Sequence, residues 1–360
     1  MPGGIVPCVH PVVQVVVACA LDHLLGDPRW CLHPVQVMGW CIERLRRLAE
    51  GWAGDAPWKL RLSGLVLAFL VVTGSAGAGW GVERWAEGQP AWLGGAVVVV
   101  ALASALAGGS LERAVREVLA ALPDREEARR RLAWIVGREV EGLPEAEILR
   151  AAAETTAENA VDGLFAPLFW ILVGVVWSLW ARGGFEPLTP PSTLALSAQR
   201  LALGPVALAW AFKASSTLDS MLGYRRGRLR WLGTAGARLD DGLTWIPARL
   251  VALTLPLVGR QPWRWWSAFR LALREGAPDP SPNAGVSQAA YAEAAGSRLG
   301  GRNRYAEGWR WKPVVGAHHP AVDRDGVERM LRLTIRLEVL WLVLFAAGVL
   351  LVHRLRAAIT

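Results

Sequence analysis

Five short blocks in this 360-residue chain gather acids, amides, hydroxyls and basic groups at spacings that can do chemistry. Glu154, Glu158 and Asp162 recur at i, i+4 and i+8, so a helix there puts all three on one face. Stacked like charges repel and disfavour the helix unless a cation sits among them. Oxygen-only donors suit a hard ion such as Mg2+, which usually takes one or two carboxylates together with substrate phosphate oxygens. The competing reading is a solvated helix entrance. Asn159 lies within the same block.

Lys213, Ser215, Ser216, Thr217 and Asp219 lead to Tyr224, Arg225, Arg226 and Arg228. Hydroxyls, an acid and arginines together suit a phosphorylated ligand, although a lysine ending a span also snorkels to the bilayer surface. Asp240 and Asp241, flanked by Arg238 and Arg249, form a second candidate metal or acid–base pair. Helical neighbours diverge, so one of the two at most points into a site; a charged surface turn is the alternative. Asp22, His23, Asp27, Arg29, Trp30 and His33 surround Pro28 near the amino end. Asp27 before a proline favours an extended or turn geometry; an interfacial cap anchored by Trp30 is the alternative. Pro280 to Gly285 is a Pro/Asn/Gly turn feeding an alanine-rich helix. Asn283 and Gly285 there belong to a helix entrance rich in backbone N–H groups, which suits anions.

The elements that must position these blocks are membrane spans. Charged residues make up 19% of the chain, against roughly 25% in soluble domains. Apolar residues are concentrated: Leu62–Val82, Gly88–Leu111 and Gly163–Ala181 contain no charge. Each approaches or exceeds the roughly 18–20 apolar residues that cross a bilayer core. Spans are expected near 11–25, 62–82, 90–111, 163–181, 193–212 and 335–353 within one membrane-embedded domain, 1–360. The first is short and ends at Asp22. No lysine or arginine precedes it, as a signal peptide would require. Thr193–Phe212 is interrupted by Gln199 and Arg200, which suggests a tilted or broken span. Leu250–Gly259 is short and carries Pro256, so it is expected to be re-entrant or surface-lying. Residues 112–160 read as amphipathic helices broken at Pro123 and Pro144. The fold class is therefore an all-α polytopic membrane protein with long helical loops at 26–61, 112–160, 213–249 and 260–334.

Net charge is +8 and the pI about 10.0, but no zinc-finger spacing or aromatic-interleaved basic stripe points to nucleic acid. Basic residues in such a chain mark cytoplasmic loops. The stretches 26–61 and 112–150 are basic, separated by two spans, and thus share a side, expected to be the cytoplasmic face of the cell membrane. Lys59, Lys213 and Lys312 are the only lysines, and none follows a glycine, so the Gly-Lys pair of a P-loop is missing. Cys8, Cys19, Cys31 and Cys41 have no CxxC spacing, and no metal or disulfide role is expected of them.

Taken in order, the stretches LDHLLGDPRWCLHPV, ETTAENAVDGLFAPLFW, KASSTLDSMLGYR, ARLDDGLTWIPARL and PSPNAGVSQAAYAEAAGSRLGG resemble the adenosylcobinamide-phosphate synthases of cobalamin biosynthesis, the CobD/CbiB family. They span residues 21 to 301. Ala157, Ser216, Thr244 and Gln288 stand where the family pattern has Ser, Asn, Asn and Glu. The resemblance implies an enzyme that joins a carboxylate of adenosylcobyric acid to the amine of aminopropanol or its O-phosphate. Carboxylate and amine do not condense spontaneously in water, so ATP activation with Mg2+ is implied, through an acyl phosphate. On that reading Glu154, Glu158 and Asp162, with Asp240 or Asp241, are candidates for general-base help to the amine and for Mg2+. Glu158 and Asp162 are the metal candidates among them. Lys213, Arg225, Arg238 and Arg249 are candidates for phosphate oxygens, with Asn159, Asp219 and Tyr224 beside them. Asp27 and His33 would orient substrate; Asn283 and Gly285 would supply hydrogen bonds at the helix entrance. The bilayer, a corrinoid and an amino alcohol are the implied partners.

Two rivals remain. A CDP-alcohol phosphotransferase would explain Asp-Asp-Gly, but there the Ala-Arg pair follows the glycine after two residues, whereas five separate Gly242 from Ala248. A polytopic membrane transporter would explain acids at span edges, but they sit at span ends rather than mid-span and no inverted repeat is visible.

Overall fold

A computed structural model describes residues 6–26, 33–181, 202–305 and 308–357. Contacts divide the chain into two compact units, one of residues 1–107, 167–242 and 342–360, the other of 108–166 and 243–341. Four helices are long and apolar enough to cross a membrane: Pro57–Glu87, Glu145–Leu179, Thr234–Val258 and Arg324–Leu355. Apart from one hairpin among the described residues, the chain is an all-α, multi-pass membrane protein.

The first unit is built from α1 (Val6–Leu25), α2 (Pro34–Ala53), α3 (Pro57–Glu87), α4 (Ala91–Ala103), α8 (Ala166–Leu179), α9 (Pro205–Leu222), the one-turn α10 (Leu229–Leu232) and the start of α11 (Thr234–Thr254). Its core forms where α2, α3 and α9 meet, around Met38, Ile42, Leu67, Val71, Leu218 and Leu222. Small residues let α3 approach α9 closely: a Cβ on Gly79 would stand 2.8 Å from Cα of Ala207. Glu83 caps α9 from α3, its carboxylate accepting the N–H of Gly204 at 3.1 Å and of Val206 at 2.7 Å. A carboxylate there satisfies orphan donors and faces the positive end of the helix dipole. Leu65, Val66, Phe69 and Leu70 of α3 remain exposed, as a lipid-facing surface requires.

The second unit holds α5 (Gly108–Ala121), α6 (Arg125–Leu132), α7 (Glu145–Ala160) continued by a π-turn (Val161–Phe165), the rest of α11, α12 (Trp265–Gly276), α13 (Ala284–Ala295), strands β1 (Leu299–Tyr305) and β2 (Gly308–Val315), and most of α14 (Arg324–Ala357). Pro123 and Pro144 do interrupt the helices, and Asp124 caps α6 by accepting from Glu126 and Glu127 N–H. Helix α13 is almost wholly buried. Glycines set its crossing with α12, since a Cβ on Gly285 would lie 2.3 Å from the Gly276 carbonyl oxygen.

Three features differ from the sequence-based expectations. The uncharged run 90–111 is not one helix: α4 ends at Ala103, α5 begins at Gly108, and 104–107 form a break between them. Leu250–Val258 is not an isolated short stretch; it completes a 25-residue helical segment, Thr234–Val258, long and apolar enough to cross a membrane, that carries Pro247 inside it. Neighbouring groups can satisfy the carbonyl a proline frees, so apolar helices tolerate it. The segment 299–315 is an antiparallel hairpin pairing Arg302 with Trp311 and Arg304 with Trp309. Residues 182–201, containing the first nine residues of the expected span 193–212, lie outside the described residues, as does Asp27; the remainder of that stretch leads into α9.

Candidate functional site

The acidic face of α7 meets its cations inside the second unit. Glu154 is 1% exposed, and its charge is answered by protein side chains. Arg150 donates from Nη1 to Oε1 at 2.9 Å, Arg138 ion-pairs with Oε2, and the N–H of Gly300 donates to Oε1 at 2.9 Å. Arg138 also donates to Asn303 Oδ1 at 2.7 Å, and Arg150 to the carbonyls of Gly300 and Arg302, each at 2.9 Å. The hairpin is thereby fastened to α7. Gly300, at φ +88, must be glycine, because a Cβ would lie 2.0 Å from the Pro313 carbonyl oxygen. This resolves the repulsion read from the i, i+4 spacing: with both oxygens engaged, Glu154 organises the site.

One turn on, Glu158 is less enclosed. Its Oε2 accepts from Gln288 Nε2 at 3.0 Å and lies 3.6 Å from Lys312 Nζ on β2. Both contacts use Oε2, leaving Oε1 as an acceptor among the described residues. Burial disfavours the Lys312 ammonium, but the fields of Glu158, Asp279 and Glu154 outweigh it and hold the pKa above the ordinary lysine value. Asp279, in the loop before α13, is raised above the ordinary carboxylate range chiefly by burial, with Glu158 and Glu154 adding to the rise. Its Oδ1 accepts the Ser281 N–H at 2.8 Å, folding the turn that leads to Asn283. Asn283 receives Arg249 Nη1 at 2.7 Å, and Arg249 Nη2 donates to the Pro282 carbonyl at 2.8 Å. Asn159 donates to Thr155 Oγ1 at 2.8 Å. Asp162 falls in the π-turn, whose wider winding departs from the regular i+4 register; such turns are frequent at functional sites.

The second unit therefore brings together Glu158, Lys312, Gln288 and Asp279, flanked by the Arg249–Asn283 pair and braced by Glu154. Gly285 sets helix packing beside it. Arg138, Asp279, Gln288 and Lys312 were not singled out as site residues from sequence. Lys312 is one of only three lysines, which was a usable signal; Arg138 and Asp279 sit in no recognisable motif.

The first unit holds the other candidates. Asp240 lies within electrostatic reach of Asp219, Asp241 and Lys213, and its Oδ1 is buried with no hydrogen-bond partner among the described residues. Gly223 makes room for Asp219, whose Oδ1 would lie 2.1 Å from a Cβ there. Arg238 pairs loosely with Asp241 at 3.9 Å. Tyr224 is exposed, with Arg226 stacked 4.9 Å from its ring centre, and Arg225 is exposed beside it. His33 precedes α2 in extended backbone and makes no side-chain cap. Cys41 is a free thiol.

Among the described residues, no set of three metal-type donors includes Glu158 or Asp162. Mg2+ bound there would need ligand oxygens besides theirs, which is its usual habit with phosphorylated substrates.

Comparison with known proteins agrees with the motif order. Residues 15–334 match the family model described as CobD/Cbib protein. The chain is 36% identical over 336 residues to the cobalamin biosynthesis protein CbiB of Salmonella typhi, covering 92% of this chain and 95% of that one. It is 37% identical over 326 residues to the cobalamin biosynthesis protein CobD of Pelobacter propionicus, covering 89% of each, and 36% identical over 315 residues to that of Synechocystis sp., covering 86% and 84%. No solved structure matches the chain. A match that runs from the first helix into the last, through every block that carries the site, places this chain in the CobD/CbiB family of cobalamin-biosynthesis proteins.

Proposed function

We propose that the chain catalyses ATP-dependent amide formation between adenosylcobyric acid and aminopropanol or its O-phosphate, at the cytoplasmic face of the cell membrane. The observation that supports this most is the half-buried Lys312 held against Glu158 and Asp279, with Arg249 and Asn283 alongside. Amide formation from a carboxylate and an ammonium removes one proton from the amine before attack and a second as the tetrahedral centre collapses. A carboxylate with a spare oxygen suits that task, and Glu158 has one. Lys312 and Arg249 would hold phosphate oxygens and neutralise charge developing on them. Family membership supports the pathway; the residue chemistry supports the reaction.

The donors present fit ATP and Mg2+: Glu158, Asp162 and Asp279 offer hard oxygens, Lys312 and Arg249 offer phosphate partners. ATP would supply the activation that lets the carboxylate lose an oxygen. Glu154, saturated by arginines, fastens β1, the strand paired with the one that carries Lys312. Lys213, Asp219, Tyr224, Arg225, Arg238, Asp240 and Asp241 of the first unit are proposed to bind substrate or phosphate, with Asp240 or Asp241 a further acid–base candidate.

The test compares membrane fractions containing wild-type protein with Glu158→Ala and Asp162→Ala, supplied with adenosylcobyric acid, either amine donor and ATP. Turnover is expected to be abolished by Glu158→Ala while the protein still inserts. Wild-type rates in both variants would return the acidic face of α7 to a purely structural role.

A further inference from the structure

The turn after β2 brings two imidazoles onto a carboxylate of α13, apart from the cluster described above. Nε2 of His318 and Nε2 of His319 each lie 3.0 Å from Oε2 of Glu293, and the two rings are 4.0 Å apart between centroids. One donor atom from each of the three residues lies within 4.8 Å of the others. Side chains adjacent in sequence usually diverge; here the turn makes them converge. Gly316 adopts φ +63, and a Cβ there would stand 2.6 Å from the Ser297 carbonyl oxygen. Its N–H donates to Glu275 Oε2 at 2.7 Å, and its carbonyl accepts the His319 N–H at 2.9 Å. Glu293 stands on the buried α13, three residues before the left-handed Gly296 that ends the helix. Both sides of the cluster are thus carried on fixed backbone.

We propose that Glu293, His318 and His319 bind a divalent transition-metal ion, Zn2+ foremost, with water completing the coordination. Two imidazoles and one carboxylate suit zinc, whereas Mg2+ and Ca2+ prefer oxygen-only sets. Bonds of roughly 2.0–2.2 Å put tetrahedral zinc donors about 3.4 Å apart, within a few tenths of an ångström of the two 3.0 Å imidazole–carboxylate distances. The side chain of His318 is 53% exposed, that of Glu293 21% and that of His319 23%, so the cluster is open on one side for an ion and its water. The ion would pin the end of the hairpin to α13 and so steady the strand that carries Lys312. Without an ion, simple imidazole–carboxylate hydrogen bonds would hold the same three groups.

The experiment titrates the purified, chelator-treated full-length protein with Co2+, following its visible absorption, and then displaces Co2+ with Zn2+. One Co2+ per chain with nitrogen and oxygen coordination is expected, displaced by Zn2+. The double variant His318→Ala/His319→Ala should lose at least about tenfold in affinity, since even outer-shell losses cost 10–100-fold. His318→Gln alone, at the most exposed position, provides the same comparison if the double variant does not fold. Absence of binding by the wild type, unchanged affinity in the folded variants, or a spectrum dominated by thiolate bands would overturn the site.

Discussion

At the scale of single residues, the acidic face of α7 places Glu154 and Glu158 in different surroundings. Glu154 is buried and answered by Arg138 and Arg150. Removing one member of a buried ion pair leaves the other charge uncompensated and costs about 3–5 kcal/mol. Arg138→Met is therefore expected to lower unfolding stability by about that amount, measured by chemical denaturation in detergent micelles; a loss below about 1 kcal/mol would mean the pair does not hold the hairpin. Glu158 is expected to matter to rate instead: Glu158→Gln should lower kcat by about 10²–10⁴-fold with little change in stability. Asp279 gives a pH-dependent case. Its folded pKa is raised, chiefly by burial, so its contribution to stability is present below the unfolded value near 3.8 and is lost as pH rises through the folded value. The ionised group is then a cost at neutral pH. Asp279→Asn should be as stable as wild type or more stable at pH 7, and the difference should vanish below about pH 4. Thermal unfolding across that range checks it; a variant destabilised at pH 7 would contradict it.

At the scale of elements, the α12–α13 crossing sets where the Asn283 turn sits. Gly285 has no room for a side chain, its Cβ position lying 2.3 Å from the Gly276 carbonyl oxygen and 2.5 Å from Asp279 Cβ. Gly285→Val should push the helices apart, cost about 1–3 kcal/mol of stability, and lower activity by moving Asp279 and Asn283 together. Unfolding and turnover measured on one preparation test this; full activity in the variant would show that the turn tolerates displacement. The same elements show what a sequence discloses. The spans at 57–87 and 324–355 were legible because charge is absent from most of the first and from the carboxyl half of the second, and no soluble packing needs that. The breaks at Pro123 and Pro144 were legible because proline removes a donor. The hairpin was hidden: Trp309 and Trp311 alternate with Arg310 and Lys312, but their neighbourhood reads as polar loop. The partners of Glu154 and Glu158 were hidden for a related reason. Gly300 and Lys312 lie about 150 residues along the chain from them, and spacing on one helix cannot show what another element supplies.

At the scale of the whole molecule, exposed apolar side chains such as Phe69 and Leu70 on α3 and Val343 and Leu344 on α14 suit lipid contact, and the basic stretches between spans are expected to set the orientation. Single cysteines introduced in 112–150 are expected to react with a membrane-impermeant thiol reagent only in inverted vesicles, which expose the cytoplasmic face. Labelling in intact cells would reverse the orientation. One measurement reaches the proposed amide-forming reaction directly. Purified protein in lipid nanodiscs is incubated with adenosylcobyric acid, aminopropanol or its O-phosphate, Mg2+ and ATP, and the corrinoids are resolved by mass. A new corrinoid is predicted whose mass is the sum of acid and amine less one water, formed only when ATP is present. No such product with either donor, from protein that is folded and membrane-inserted, would contradict the account.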